Sequence, residues 1–146
     1  MNWKIVTVGK PSLPWARDAM ADYVHRINRS GHLEMVALRE ESGERTDKAM
    51  LAAGEKSLCI ALDERGKQMR STELAQWIKA RELSGNKRVC IFVGGANGHS
   101  ETVRASAQEC WSLSSFTLQH ELALVVLLEQ IYRAYSILRG EPYHRE

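Results

Sequence analysis

The sequence predicts an α/β fold, a mostly parallel sheet flanked by helices, and three observations carry that expectation. Short β-branched runs alternate with stretches of helical periodicity, the pattern of strands joined through crossover helices. Two of those runs, "SLCIALD" and "RVCIFV", have almost no polar interruption, as strands covered on both faces require. The last element, Glu121 to Leu138, is apolar around most of its circumference, so it must be buried on several sides, in the core or against another subunit.

Element by element, "WKIVTVG" is a β-branched strand ending at Gly9, and the prolines of "KPSLPW" lead into a helix. From Trp15 the positions Ala19, Tyr23 and Ile27 recur at helical spacing and predict one apolar face. "LEMVAL" reads as a strand, "TDKAMLAAGEK" as a helix and "SLCIALD" as a buried strand. "DERGKQM" has the composition of a turn-rich loop, Ser71 is an N-cap candidate for the helix "TELAQWIKAREL", and Gly85 and Asn86 close that helix. "RVCIFV" is the next strand, "HSETVRASAQEC" reads as one helix, and "WSLSSFTLQ" as a short strand or an ordered loop.

The 146 residues suit a single domain, 1–146, with a core large enough to need no disulfides or metals. Lys and Arg exceed Asp and Glu by only 20 to 18, so a polyanionic partner would need a local basic patch. Cys59, Cys90 and Cys110 lie far apart within or beside apolar runs, which fits reduced thiols and a cytoplasmic location. No segment reads as a signal peptide, and the apolar run Leu122 to Leu128 is interrupted by Glu129 too soon to span a bilayer, so a soluble protein with no membrane partner is expected.

Three places carry candidate chemistry. In "VCIFVGGANG", Gly94, Gly95 and Gly98 follow a buried strand at its carboxyl end, where open α/β sheets bind ligands. A tight strand-to-helix turn explains them as well as a cofactor does; the motif is neither a P-loop nor G-x-G-x-x-G, which argues against a nucleoside triphosphate but not against a nucleoside. In "LSSFTL", Leu113, Ser114, Ser115, Phe116, Thr117 and Leu118 could hold a flat adenine between apolar side chains while backbone groups read its edge; an exposed short strand is the other reading. In the final helix Glu129, Arg133 and Ser136 fall at i, i+4 and i+7, either as a helix-stabilising pair or as one wall of a pocket. Beyond it the chain turns at Gly140 and Pro142 and presents Tyr143, His144 and Arg145, an unusual set for a merely solvated tail. No His, Cys and carboxylate set has metal-ligand spacing, so no metal is expected; His25 and His32 read as surface residues, and His99 as flanking the helix after the glycines.

"LDERGKQMRSTELA", "IFVGGANG", "WSLSSFTLQHELALVVLLEQIYRAYSI" and "PYHRE" together resemble the bacterial ribosomal RNA large subunit methyltransferase H family, along the whole chain and most specifically from Leu62 onward. That resemblance implies a SPOUT-type α/β knot, with a deep trefoil near the C-terminus, acting as a homodimer. It implies transfer of a methyl group from S-adenosylmethionine, leaving S-adenosylhomocysteine, to N3 of a pseudouridine in helix 69 of 23S rRNA, preferably in the assembled 70S ribosome. Carried over residue by residue, it assigns the cofactor to Leu62, Gly95 and Leu113 to Leu118, and gives the tail to the active site of the opposite subunit. His144 would relay the N3 proton, Arg145 would bind phosphate or the imide oxygen, Tyr143 would pack on the base, and Glu129 and Arg133 would order the pocket. The chain departs from the family pattern at Ala96-Asn97, where Pro-Glu is usual, at Gln119, where proline is usual, and at Leu124, where arginine is common. These departures leave two alternatives: a non-catalytic ribosome-binding or assembly factor of the same fold, or a SPOUT enzyme acting on another RNA.

Overall fold

The computed structural model describes residues 1–95 and 97–145. The elements alternate as β1 (Asn2–Val8), α1 (Pro14–Ile27), β2 (His32–Leu38), α2 (Gly43–Ala53), β3 (Leu58–Gln68), α3 (Ser71–Ser84), β4 (Arg88–Val93), α4 (Glu101–Ser106), β5 (Glu109–Ser112) and α5 (His120–Leu138). The five strands form one sheet in the order β2-β1-β4-β3-β5, and every neighbouring pair is parallel.

The uninterrupted apolar runs occupy the middle of this sheet because only there are both faces covered. Ile91 of β4 lies in register with Ile5 on one side and Ile60 on the other. That row packs with Ala16, Met20 and Ile27 of α1, Leu74, Ala75 and Ile78 of α3, and Leu124, Leu127, Leu128 and Ile131 of α5. The opposite face buries Val6, Cys59, Cys90 and Phe92 against Met50 of α2 and Val103 of α4. α5 packs against both α1 and α3, and inside that layer Trp3 Nε1 donates to the Tyr135 hydroxyl at 2.9 Å.

Several elements differ from the sequence expectation, each through a non-local contact. "DERGKQM" is not a loop: β3 continues through it, with a register shift that sets both Leu62 and Lys67 opposite Trp111. Gly66 permits this crossing, since a Cβ there would lie 2.6 Å from the backbone of Cys110 and Trp111. "HSETVRASAQEC" is not one helix. α4 ends at Ser106, and Gln108 then pairs with Cys59 through its backbone N–H to the Cys59 carbonyl (2.9 Å) and its Oε1 to the Cys59 N–H (2.6 Å), drawing β5 alongside β3. Arg70, not Ser71, occupies the N-cap position of α3, and its N–H donates to Glu73 Oε1 at 2.9 Å. The buried seam of α1 is Ala16, Met20 and Ile27, with Ala19 and Tyr23 half-buried at its margin. α2 begins earlier than expected, at Gly43, and ends at Ala53.

Candidate active site

The register shift in the middle of β3, the carboxyl ends of β4 and β5 and the first turn of α5 enclose a cleft of about 520 Å³. One wall is the bulged segment Leu62, Asp63, Glu64 and Arg65; a second is Val93 with Gly94, Gly95, Asn97 and Gly98; a third is Ser112, Leu113, Ser114, Phe116, Thr117 and Leu118, continued by Gln119, His120 and Ala123. The glycine wall is a tight reverse turn in which Gly98 N–H donates to the Gly95 carbonyl at 3.0 Å. Gly98 adopts φ +75°, and a Cβ on Gly94 would fall 2.8 Å from the Gly98 carbonyl carbon, so the turn closes only with glycine at those two positions. Ala96 of the same stretch lies outside the described residues, as does Glu146 of the quoted tail.

Behind the turn, His99 is buried with Nε2 2.7 Å from the Phe92 carbonyl; burial pushes its pKa below the usual imidazole value against the opposing pull of that hydrogen bond. Ser100 then caps α4, its Oγ accepting from Val103 N–H at 3.2 Å and donating to Asp47 Oδ2 at 2.8 Å. The third wall is held by its own hydroxyls: Ser112 Oγ donates to the Ser114 carbonyl (3.0 Å), and Phe116 N–H donates to Ser114 Oγ (2.9 Å). Gln119, at the position where the family pattern has proline, accepts from the N–H groups of Glu121 (2.8 Å) and Leu122 (2.9 Å) and so starts α5.

Of the residues the sequence assigned to a cofactor, Leu62, Gly94, Gly95, Gly98, Leu113, Ser114, Phe116, Thr117 and Leu118 line this one cleft. Ser115 does not; its Oγ accepts instead from Gln68 Nε2 at 2.8 Å. The sequence reading missed Asp63, Glu64 and Arg65, because "DERG" looked like a turn. Their position directly after a buried strand was the available signal. The Asp63 side chain is only 6% exposed. Burial pushes its pKa up, but hydrogen bonds from the Arg65 side chain and backbone, with the charges of Arg65 and Arg104, outweigh this and hold it below the usual carboxylate range.

The second set of residues gathers at the other end of α5. Glu129 Oε2 accepts from Arg133 Nη2 at 2.9 Å and from the Tyr143 hydroxyl at 2.7 Å, and Arg133 Nη1 lies 3.2 Å from His144 Nδ1. The Arg133 guanidinium stands over the Tyr143 ring at 4.8 Å, and that ring meets Tyr132 edge-on at 4.7 Å. Tyr23 of α1, which the sequence placed only on an apolar helix face, sets its hydroxyl 3.3 Å from that of Tyr143. Burial, followed by the hydrogen bonds with Tyr23 and Glu129, pushes the Tyr143 pKa well above the usual phenol value, so it stays protonated. Arg145 is exposed.

The helix stripe and the tail therefore do meet, but not at the cleft. None of Glu129, Arg133, Tyr143, His144 or Arg145 lines it, and Arg133 sits roughly 15 Å along α5 from Ala123 at the helical rise per residue. Leu124 is 2% exposed and belongs to the core. Among the described residues no group of His, Cys, Asp and Glu is placed to hold a metal ion, and no helix is long and apolar enough to cross a membrane.

Residues 1–144 match a family described as "Predicted SPOUT methyltransferase". A Deinococcus radiodurans protein named ribosomal RNA large subunit methyltransferase H is 38% identical over 145 residues, covering 99% of each chain. A Thermus thermophilus protein of the same name is 42% identical over 145 residues, again 99% of each. Among solved structures, a probable methylase family protein from Haemophilus influenzae Rd KW20 superposes with a TM-score of 0.62 at 12% identity, over 99% of this chain and 71% of that one. A probable methyltransferase from Bordetella pertussis Tohama I gives 0.58 at 13% identity, over 91% of this chain and 95% of that one. At such identities the structures speak to the fold alone, but the full-length sequence matches go further: the chain is a member of the SPOUT methyltransferases, in the family named ribosomal RNA large subunit methyltransferase H.

Proposed function

We propose that this protein transfers a methyl group from S-adenosylmethionine to N3 of a pseudouridine in helix 69 of 23S rRNA, acting on the ribosome in the cytoplasm as a homodimer of knotted, single-domain subunits. The observation that carries the reading is the coincidence of full-length kinship to methyltransferases of that name with an intact cleft at the strand ends.

The residues present fit the cofactor. The cleft volume lies in the range of small-molecule sites. Leu62, Val93, Leu113 and Leu118 offer apolar surface for a flat base, and the loop from Leu113 to Leu118 supplies backbone donors and acceptors for its edge. Glu64 puts a carboxylate on one wall, which suits hydroxyls and a cation, while Asp63 beside it is already held by Arg65 and Arg104. The bound cofactor supplies an electrophilic methyl carbon on its sulfonium; the chain must supply alignment and a route for the N3 proton.

The tail meets the second need. A guanidinium only donates hydrogen bonds, so His144 Nδ1 accepts from Arg133, and a neutral imidazole there carries its proton at Nε2. Relay through His144 requires Nδ1 to exchange Arg133 for the substrate proton, with Arg133 retained by Glu129. Tyr143, engaged by Glu129, Tyr23 and Tyr132, serves to position His144 and is not free to pack on the base, while exposed Arg145 meets phosphate or the imide oxygen. Because cleft and tail lie apart within one chain, the complete site joins the cleft of one subunit to the tail of the other. Leu122, at 36% exposure, and the half-buried Val125 and Val126 form the α5 strip available for that contact.

The test is methyl incorporation from labelled S-adenosylmethionine into ribosomes lacking this modification, with mass mapping of the 23S rRNA. Label on the helix 69 pseudouridine is expected. Label on another RNA, or cofactor binding without transfer, would overturn the assignment of substrate; absence of cofactor binding would favour an assembly factor.

A further inference from the structure

One side chain outside the cleft reaches both the β3 bulge and the residue behind the glycine turn. Arg104, on α4, donates from Nη1 to the His99 carbonyl at 2.7 Å, directly behind Gly98 of the glycine turn. The same Nη1 stands 3.8 Å from Asp63 Oδ2, on the bulge of β3, and Nη2 is engaged by Glu101. Both ends are shielded, with side-chain exposures of 6% for Asp63 and 18% for Arg104. Arg65 holds Asp63 from the solvent side, through its backbone N–H (2.9 Å) and its Nε (3.1 Å), and is itself 64% exposed. Leu62 and Val93 pair in register at the base of these two walls, and the β3–β4 ladder ends there, so the spacing of their outer parts rests on side chains.

We infer that the Asp63–Arg104 pair is a positioning latch for the cofactor, fixing the glycine turn against the β3 bulge so that both walls stand at the spacing the ligand needs. The inference rests on the cofactor reading above. Arg104 does not line the cleft, so it acts through Asp63 and the His99 carbonyl. A planar guanidinium is required, because one group must satisfy a carbonyl and face two carboxylates at once; an ammonium on a flexible stem holds that geometry less well. Without the latch the turn samples spacings that do not fit, and the ligand bears the ordering cost on binding.

Calorimetric titration with S-adenosylhomocysteine of the wild type, Arg104→Gln, Arg104→Lys, Asp63→Asn and the double variant tests this. Losing a shielded, charge-assisted contact should weaken binding about tenfold in Arg104→Gln and in Asp63→Asn, with Arg104→Lys between Gln and wild type. The double variant should be little worse than either single one, because the residues act as one unit. In turnover assays of the Arg104 variants the KM for S-adenosylmethionine should rise while kcat at saturation and the KM for ribosomes stay near wild type, a split that general loss of fold would not give. Wild-type affinity in folded variants, or effects that simply add, would overturn the latch. If Arg104→Gln does not fold, Arg104→Lys carries the same decision. Failure of the wild type to bind would instead refute the cofactor reading itself.

Discussion

Glu121 offers the sharpest test of how the cleft is supported. It lies in the first turn of α5, beside His120 of the cleft wall, and is 5% exposed. Its carboxylate accepts from the N–H groups of Ser12 (2.9 Å) and Leu13 (3.0 Å) and from Ser12 Oγ (3.2 Å), at the amino end of α1. One side chain thus caps α1 from α5 and ties the two helices at the cleft. Replacing Glu121 by Gln keeps the shape but removes the charge. Each charge-assisted bond exceeds a neutral one by about 1 kcal/mol, and the helix dipole adds ~0.5 kcal/mol. With Ser12 reachable by water, a loss of about 2 kcal/mol is expected, or ~1 M in the urea midpoint. Glu121→Ala, which strands two N–H groups, should lose about 3 kcal/mol. Burial opposes ionisation here, but the three donors win and hold the pKa below the usual 4.5. The stabilisation is therefore complete above pH 4.5 and disappears as pH falls through the lower folded value. Urea titrations at fixed protein concentration should show a gap between wild type and Glu121→Gln that is full at neutral pH and closes in acid. Equal midpoints at neutral pH, or a gap undiminished in acid, would show that the Glu121 charge does not hold α1 to α5.

Three further outcomes are expected. Gly94→Ala places a Cβ 2.8 Å from Gly98, so the turn must open; a destabilisation of about 1–3 kcal/mol by urea titration should accompany loss of S-adenosylhomocysteine binding by calorimetry. Tyr143→Phe removes the hydroxyl that bridges Glu129 and Tyr23, and single-turnover assays should show methyl transfer slowed about 10-fold or more with cofactor affinity unchanged. Burial lowers the pKa of His99, so the unfolded chain takes up its proton first as pH falls. Wild-type stability should therefore decline below the usual value of 6.5 and on through the folded value, and His99→Gln should flatten that part of the profile in thermal melts.

What the sequence disclosed and what it hid follow from how local each signal is. "RVCIFV" and "SLCIALD" were legible because a central parallel strand is apolar on both faces. The glycine turn was legible because it follows a buried strand at the ligand-binding end of the sheet, and "LSSFTL" because its apolar side chains and backbone groups suit a flat base. The continuation of β3 was not, since Gly66 signals a turn in sequence and only the backbone of Cys110 and Trp111 explains its use. Gln108 ends the helical pattern through its two bonds to Cys59, a residue from a distant strand. In the tail cluster the Glu129 and Arg133 spacing was visible, but Tyr23 joins it only because α1 packs on α5. Arg104 carries no signal of its own in the sequence, and its contact with Asp63 arises only where α4 meets the β3 bulge.

If cleft and tail are two halves of one site contributed by different subunits, as proposed, mixing two inactive variants should restore activity. Gly95→Phe places bulk in the cleft wall at a glycine whose Cβ would have room, 3.9 Å from Val8, while His144→Ala disables the tail. Unfolded and refolded separately, each variant should be inert on ribosomes. Refolded together in equal amounts, half the dimers are mixed and each mixed dimer regains one whole site, so methyl transfer should return to about a quarter of wild type. No recovery in a preparation shown to contain mixed dimers would rule out a shared site and place the whole reaction within one chain.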